Sequence, residues 1–385
     1  MSRRRYMNDS GEFSSINNLL SWENHRGWNN TLLDIVKKDD ISTMKIKRLM
    51  PGVDALEKKV KVKPNTLYKL TFDYEVLTSY TMYGDLFGII VFDGKSHWPT
   101  RTYGYRKEYS LAYHTISTEP EKKSVILYFI TKSDSIILHM PLTAINDDQT
   151  PTFTFGNFVL KEEFFPPIIK DDKLRPARIL VSGDEAIMKI TLVSGENKDI
   201  HLTPGLNTIS LPEEIKYLTF ATPISKDGTS YPIVLADLGN VKVRDPKDLF
   251  KSCNMLLACY GIGISDNRGG AGDTSLYSTF YGCDRLTYVD KMNMFMVSHV
   301  TWVSFMCRKL KSIKLQNLGA KLRSLDLEPC AELDMDSITY MVDNSAVPDN
   351  STCEVILAET LVQRIPSDLI SRAARDKRVI LKKRR

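Results

Sequence analysis

What the 385-residue sequence lacks narrows its chemistry first. No apolar run approaches the roughly 18 residues that a bilayer-crossing helix needs. There is no C-x-x-C pair and no closely spaced Cys/His pair, so the common zinc spacings are missing. The histidines are few and scattered (His25, His97, His114, His139, His201, His299), in no metal-binding pattern. No G-x-S-x-G elbow and no G-K-[ST] phosphate loop occurs. These absences predict no catalytic residue, no metal and no cofactor; only carboxylates gathered from distant strands escape a linear reading. After Met1-Ser2-Arg3-Arg4-Arg5 the chain turns polar (Asn8, Asp9, Ser10, Gly11, Glu12) where a secretory signal would be apolar. The chain is therefore expected to be made and folded in a cytosol, with reduced thiols rather than disulfides.

What is present is the balance of a folded protein, with 42% hydrophobic and 26% charged residues. The length exceeds one ordinary core, so two or three domains are expected. Net charge is only +5, concentrated at the ends in Arg3, Arg4 and Arg5 and in Lys377, Arg378, Lys382, Lys383, Arg384 and Arg385. Basic ends can hold nucleic acid by counterion release. No aromatics interleave with these charges as a single-strand groove would require, so solvated tips or docking onto an acidic partner is the expectation. Neither specific nucleic acid nor membrane is an expected partner.

After a basic arm (1–13), residues 14–165 read as an antiparallel β-sandwich or jelly roll. Leu70, Phe72, Tyr74 and Val76 alternate with Lys69, Thr71, Asp73 and Glu75, the period of a half-buried strand. Similar runs recur at 86–92, 125–131, 135–140 and 152–160, with turns such as Asp93-Gly94-Lys95-Ser96 between them. Phe164-Phe165-Pro166-Pro167 reads as a linker. A small second β domain is expected over 166–245, opening with a hairpin around Ser194-Gly195-Glu196-Asn197.

From 246 to 385 the pattern changes. All six cysteines lie here, and four begin a C-x-x-L unit: Cys253/Leu256, Cys283/Leu286, Cys307/Leu310 and Cys330/Leu333, at steps of 30, 24 and 23 residues. Phe250, Phe280 and Phe305 precede three of them. That period predicts a solenoid whose turns stack to bury a shared core, with each cysteine acting as a small hydrophobe. The glycine-rich stretch from Gly261 to Thr274 contains Asp266, Asn267 and Asp273, but their spacing fits no calcium loop, and a surface loop is expected. Short helices are predicted at 334–342 and 366–374, and strands at 353–358 and 379–381.

Phe280-Tyr281-Gly282-Cys283-Asp284-Arg285-Leu286-Thr287-Tyr288-Val289 resembles leucine-rich repeats of the BspA type. The stretches Asn18-Leu19-Leu20, Gly27-Trp28, Val62 to Tyr74 and Phe155 to Leu160 make the first domain similar to carbohydrate-binding-module jelly rolls. The combination looks like a bacteriophage virion component of the tail, fibre, baseplate or head-decoration type. That resemblance implies other virion proteins and host-surface polysaccharide as partners, homo-oligomerisation within the particle, and residence in the virion. An exported bacterial adhesin or glycan-binding surface protein is the alternative. The best binding candidates are Trp98, Tyr103, Tyr105, Arg106 and Tyr109, because rings beside polar donors suit a sugar or a protein interface; packed strand residues are the competing reading.

Overall fold

The computed structural model describes residues 23–24, 33–38, 41–46, 55–81, 88–94, 110–141, 151–163, 173–221, 232–265, 274–300, 305–318, 321–345 and 352–384. The chain is mainly β and divides into two compact units, Met1–Pro166 and Pro167–Arg385. The basic arm, 1–13, lies outside the described residues.

The strands of unit 1 are β1 (Glu23–Asn24), β2 (Leu33–Lys38), β3 (Ile41–Ile46), β4 (Ala55–Lys61), β5 (Leu67–Val76), β6 (Gly88–Asp93), β7 (Ser110–Thr115), β8 (Glu121–Ile130), β9 (Ser135–Pro141) and β10 (Thr152–Glu162). They form two five-stranded antiparallel sheets, ordered β1-β4-β9-β6-β7 and β2-β3-β10-β5-β8. The alternation read in β5 is borne out: Tyr68, Leu70, Phe72, Tyr74 and Val76 are buried and the residues between them are not. Phe72 stacks on Phe158 of β10 at 5.2 Å and meets the His114 ring of β7, in the other sheet, edge-on at 6.3 Å. The two inner faces thus share one core, as in a β-sandwich. Between β8 and β9, the Asp93 carboxylate accepts hydrogen bonds from the Lys132 and Ser133 amides, both at 3.0 Å, which fixes that turn.

Unit 2 begins with β11 (Ala177–Val181), β12 (Ala186–Leu192), β13 (Asn197–Leu202), β14 (Gly205–Ile209), β15 (Glu214–Ala221), β16 (Ile233–Asp237) and β17 (Lys242–Asp245). It continues through β18 (Ala258–Tyr260), β19 (Gly263–Ile264), β20 (Thr274–Ser275), β21 (Tyr288–Asn293), β22 (Val297–His299) and β23 (Ser312–Gln316). The end holds β24 (Ser324–Asp326), helix α1 (Met335–Asp343), β25 (Cys353–Leu357), α2 (Glu359–Val362), α3 (Ser367–Lys377) and β26 (Val379–Lys383). The predicted β12–β13 hairpin is present, and so are the four terminal elements.

The expected division at 245/246 is not a structural boundary. Strand β16 pairs with β18 and β17 with β19 across it, and a single hydrophobic core runs from Ala177 to Leu381. The physical reason is a change of pairing rather than of core. Hairpins give way to parallel pairs at β15–β17, and β16-β18-β21-β23 then continue the same sheet in parallel.

Successive chain turns stack along this ladder. Phe220, Phe250, Phe280 and Phe305 form a column, with ring centroids 5.4, 5.7 and 5.6 Å apart and planes within 30°. Beside it runs a column of thiols. The Cys283 thiol donates to the Phe250 carbonyl at 3.0 Å, Cys307 to that of Phe280 at 3.4 Å, and Cys330 to that of Phe305 at 3.2 Å. The backbone repeats as well: Ser252 and Gly282, each just before a cysteine, both take left-handed conformations, φ 63° and 77°. A β-carbon on Gly282 would come within 3.3 Å of the Ser252 α-carbon, so the turns lie in van der Waals contact.

All six cysteines are free and buried, and burial raises every thiol pKa, to about 12 for Cys330 and Cys353. The thiolate is the reactive form, so its population at neutral pH is negligible. The native chain is expected to be inert to an aromatic disulfide reagent at pH 8, and the unfolded chain to release six equivalents; fast labelling of any thiol in the folded chain would contradict the packing.

Among the described residues, the terminal charges Lys382, Lys383 and Arg384 are engaged within the chain. Lys382 pairs with Glu354 at 2.6 Å, Lys383 with Glu359 at 2.6 Å, and Arg384 with Glu328 at 2.8 Å and Asp326 at 3.3 Å. The tail therefore clips the edge strand β26 to earlier turns instead of standing free as a solvated tip, although each exposed pair contributes little.

Candidate ligand-binding face

A β-sandwich turns two sheet faces outward, and in unit 1 these differ in character. The outward side of β5 carries Lys69, Thr71, Asp73 and Glu75, all half-buried, beside Lys122, Ser124, Ile126 and Tyr128 of β8; Tyr128 is buried, with the Lys69 ammonium 5.8 Å from its ring. Asp73 accepts hydrogen bonds there from the Ser124 hydroxyl at 2.5 Å and the Asn157 amide at 2.6 Å.

The outward side of the other sheet is apolar at its centre. Ile90 and Phe92 of β6 and Ile137 of β9 form a buried cluster, with Tyr113 of β7 packed half-buried against it. Cross-strand register produces the grouping: Ile90 lies opposite both Tyr113 and His139, and Phe92 opposite Ile137. On the far side of β9, His139 faces Glu57 of β4, and its Nδ1–H donates to Glu57 Oε1 at 2.7 Å. Both side chains are almost fully buried, 2% and 10% exposed. Phe92 meets the His139 ring edge-on at 5.5 Å.

Ile90, Phe92 and Ile137 are only 3%, 5% and 9% exposed and so are already covered; Tyr113, half-buried at their edge, is the ring of this group that a ligand meets first. Among the described residues no group of three or more His, Cys, Asp or Glu is placed to hold a metal.

The residues singled out from sequence fall differently. Trp98, Tyr103, Tyr105, Arg106 and Tyr109 lie outside the described residues, in the sequence between β6, which ends at Asp93, and β7, which begins at Ser110 opposite Phe92. The repeat residues Cys253, Leu256, Cys283, Leu286, Cys307, Leu310, Cys330 and Leu333 are all fully buried, together in one core. Glu57, Phe92 and His139 were not anticipated. One signal was available: β9, Ser135-Ile136-Ile137-Leu138-His139-Met140, is apolar on both alternating faces, the mark of a strand covered on both sides.

The solved structures similar to this chain include the following two. One, described as "CBM4 structure and function", shares 10% identity at a TM-score of 0.27, covering 40% of this chain and 99% of that one. The other, a candidate sugar-binding protein from Bacteroides thetaiotaomicron VPI-5482, shares 12% at a TM-score of 0.24, covering 37% and 87%. No family model matches the chain, and no curated protein does.

Proposed function

We propose that this protein is a non-enzymatic recognition and assembly component of a bacteriophage particle. In this reading unit 1 is a carbohydrate-binding-module-like jelly roll that holds a host-surface glycan on the outward face of β1-β4-β9-β6-β7. Unit 2 is a short leucine-rich-repeat stack that contacts other virion proteins. The observation that carries the binding role is the contrast between the two outward faces of unit 1. One ranges Lys69, Asp73, Glu75 and Lys122 around the buried Tyr128, whereas the other centres on Ile90, Phe92 and Ile137, with Tyr113 half-buried beside them and the Glu57–His139 pair at their edge. Recurring buried thiols and phenylalanines support a scaffold role for unit 2, since their chemistry is packing alone. The virion setting rests on the resemblance drawn from the sequence.

Screening the full chain on a glycan array tests the binding role. Tyr113→Ala, at a half-buried position, is expected to weaken any captured glycan about tenfold while the chain stays folded. Full retention of binding by that variant would remove the face from consideration. Mass spectrometry of purified particles tests the setting, and absence of the chain from particles would end it.

A further inference from the structure

The parallel sheet of unit 2 also has two sides, and only one is core. Cys259, Val289, Ile313 and Leu315 point inward and are fully buried. Their strand neighbours Tyr260, Tyr288, Asp290, Lys314 and Gln316 alternate onto the opposite side and are half-buried. Tyr260 of β18 and Tyr288 of β21 meet with ring centroids 5.1 Å apart and planes inclined at 36°. The Tyr288 hydroxyl donates to the Asp290 carboxylate at 3.0 Å.

Helix α1 extends this surface beyond β23. It takes up the strand's edge through the Ile313 amide, which donates to the Ser337 hydroxyl at 3.0 Å, and the neighbouring Asn317 amide donates to the Asn344 carbonyl at 2.7 Å. The helix thereby adds a third half-buried ring, Tyr340, whose hydroxyl donates to Gln316 at 3.4 Å and whose ring lies 5.7 Å from the Lys314 ammonium.

We infer that this outward face, centred on Tyr260, Tyr288, Lys314 and Tyr340, is a second ligand site, for a neutral polyhydroxylated glycan. Rings already held half-buried lose little rotamer freedom on binding, so they suit a platform against which the C–H side of a sugar ring can lie. Between the rings stand an acceptor (Asp290), a donor (Lys314) and an amide that can do both (Gln316), which matches a rim of hydroxyls. The charges are of both signs, so a phosphate, an acidic chain or a polycation meets no complementary field here. Burial pushes the Tyr260 phenol up to about 12, so it stays protonated and able to donate at neutral pH. The site uses other residues than the unit 1 face, and either stands without the other.

Native affinity electrophoresis of the full chain through gels containing a neutral polysaccharide (a β-1,3-glucan, a xylan or a galactomannan) or polygalacturonate separates the two. Tyr113→Ala serves as the background that weakens unit 1. That variant is expected to remain retarded by at least one neutral polymer. Adding Tyr260→Ala and Tyr288→Ala should weaken the retardation about tenfold with the buried thiols of unit 2 still protected from labelling. Tyr288→Phe, which keeps the ring, should retain most of it. If the alanine pair does not fold, Gln316→Ala, which removes one outward side chain, must reduce retardation in the same background. Loss of all retardation on Tyr113→Ala alone, equal retardation with and without the unit 2 tyrosines, or retention by polygalacturonate only would each overturn this site. Retardation unchanged by Tyr113→Ala but lost with the unit 2 tyrosines would instead overturn the unit 1 face and leave this site standing.

Discussion

Phe280→Ala is expected to destabilise unit 2 by about 3–5 kcal/mol, the usual cost of truncating a buried aromatic. Phe280 is fully buried and is an interior member of the ring column, stacked on Phe250 at 5.7 Å and on Phe305 at 5.6 Å. Its removal leaves a void beside the Phe250 turn, which backbone bonds also hold to the Phe280 turn. The Phe250 amide donates to the Thr279 carbonyl at 2.8 Å, and the Ser252 amide to that of Tyr281 at 2.7 Å. Those bonds resist collapse, so the cavity cannot simply close. The adjacent Tyr281 is 39% exposed, and Tyr281→Ala should stay within about 0.5 kcal/mol of the parent.

The measurement has to report unit 2 alone, because a chain of two compact units is not obliged to unfold in one step. The cysteines supply that report. All six lie in unit 2 and all are buried, so thiol accessibility against urea concentration follows its unfolding and not that of unit 1. A Phe280→Ala cost below about 1 kcal/mol by this probe would mean that the rings are neighbours without forming a spine.

Local patterns and long-range pairings were unequally legible in the sequence. The alternation through Leu70 to Val76 declared both a strand and its buried side, since a period of two admits no other regular structure. The C-x-x-L spacing brought Cys253, Cys283, Cys307 and Cys330 into one core before any pairing was known. Phe220 could not be found this way: it heads the same ring column but lies in a hairpin segment with no cysteine to mark a repeat. For the same reason the boundary expected at 245/246 dissolved, because the switch from antiparallel to parallel pairing leaves no compositional trace. Glu57 and His139 are 82 residues apart, and nothing local to either strand announces that they face each other.

Asp237 shows the same blindness at greater energetic stake, since Leu235-Ala236-Asp237-Leu238 reads as an unremarkable strand end. Its carboxylate is completely buried, yet it accepts from Arg175 at 3.0 Å, from Arg178 at 2.7 Å and from the Gly239 amide at 3.1 Å. The backbone is shaped around it. Gly239 takes φ +65°, where a β-carbon would lie 2.0 Å from the Arg175 carbonyl oxygen. Asp237→Ala would take the buried carboxylate away from two guanidinium groups whose side chains are only 12% and 14% exposed, and a cost of about 3–5 kcal/mol is expected. Asp237→Asn keeps an acceptor for Gly239 but not the charge, and should fall between the parent and the alanine variant. Because the penalty comes from unbalanced buried charge rather than from a lost attraction, replacing Asp237, Arg175 and Arg178 together by apolar residues of similar volume should restore most of the stability. Urea midpoints followed by thiol accessibility decide the matter: a triple variant no more stable than Asp237→Ala would show that the cluster contributes through its specific hydrogen bonds, and not merely by neutralising its own charges.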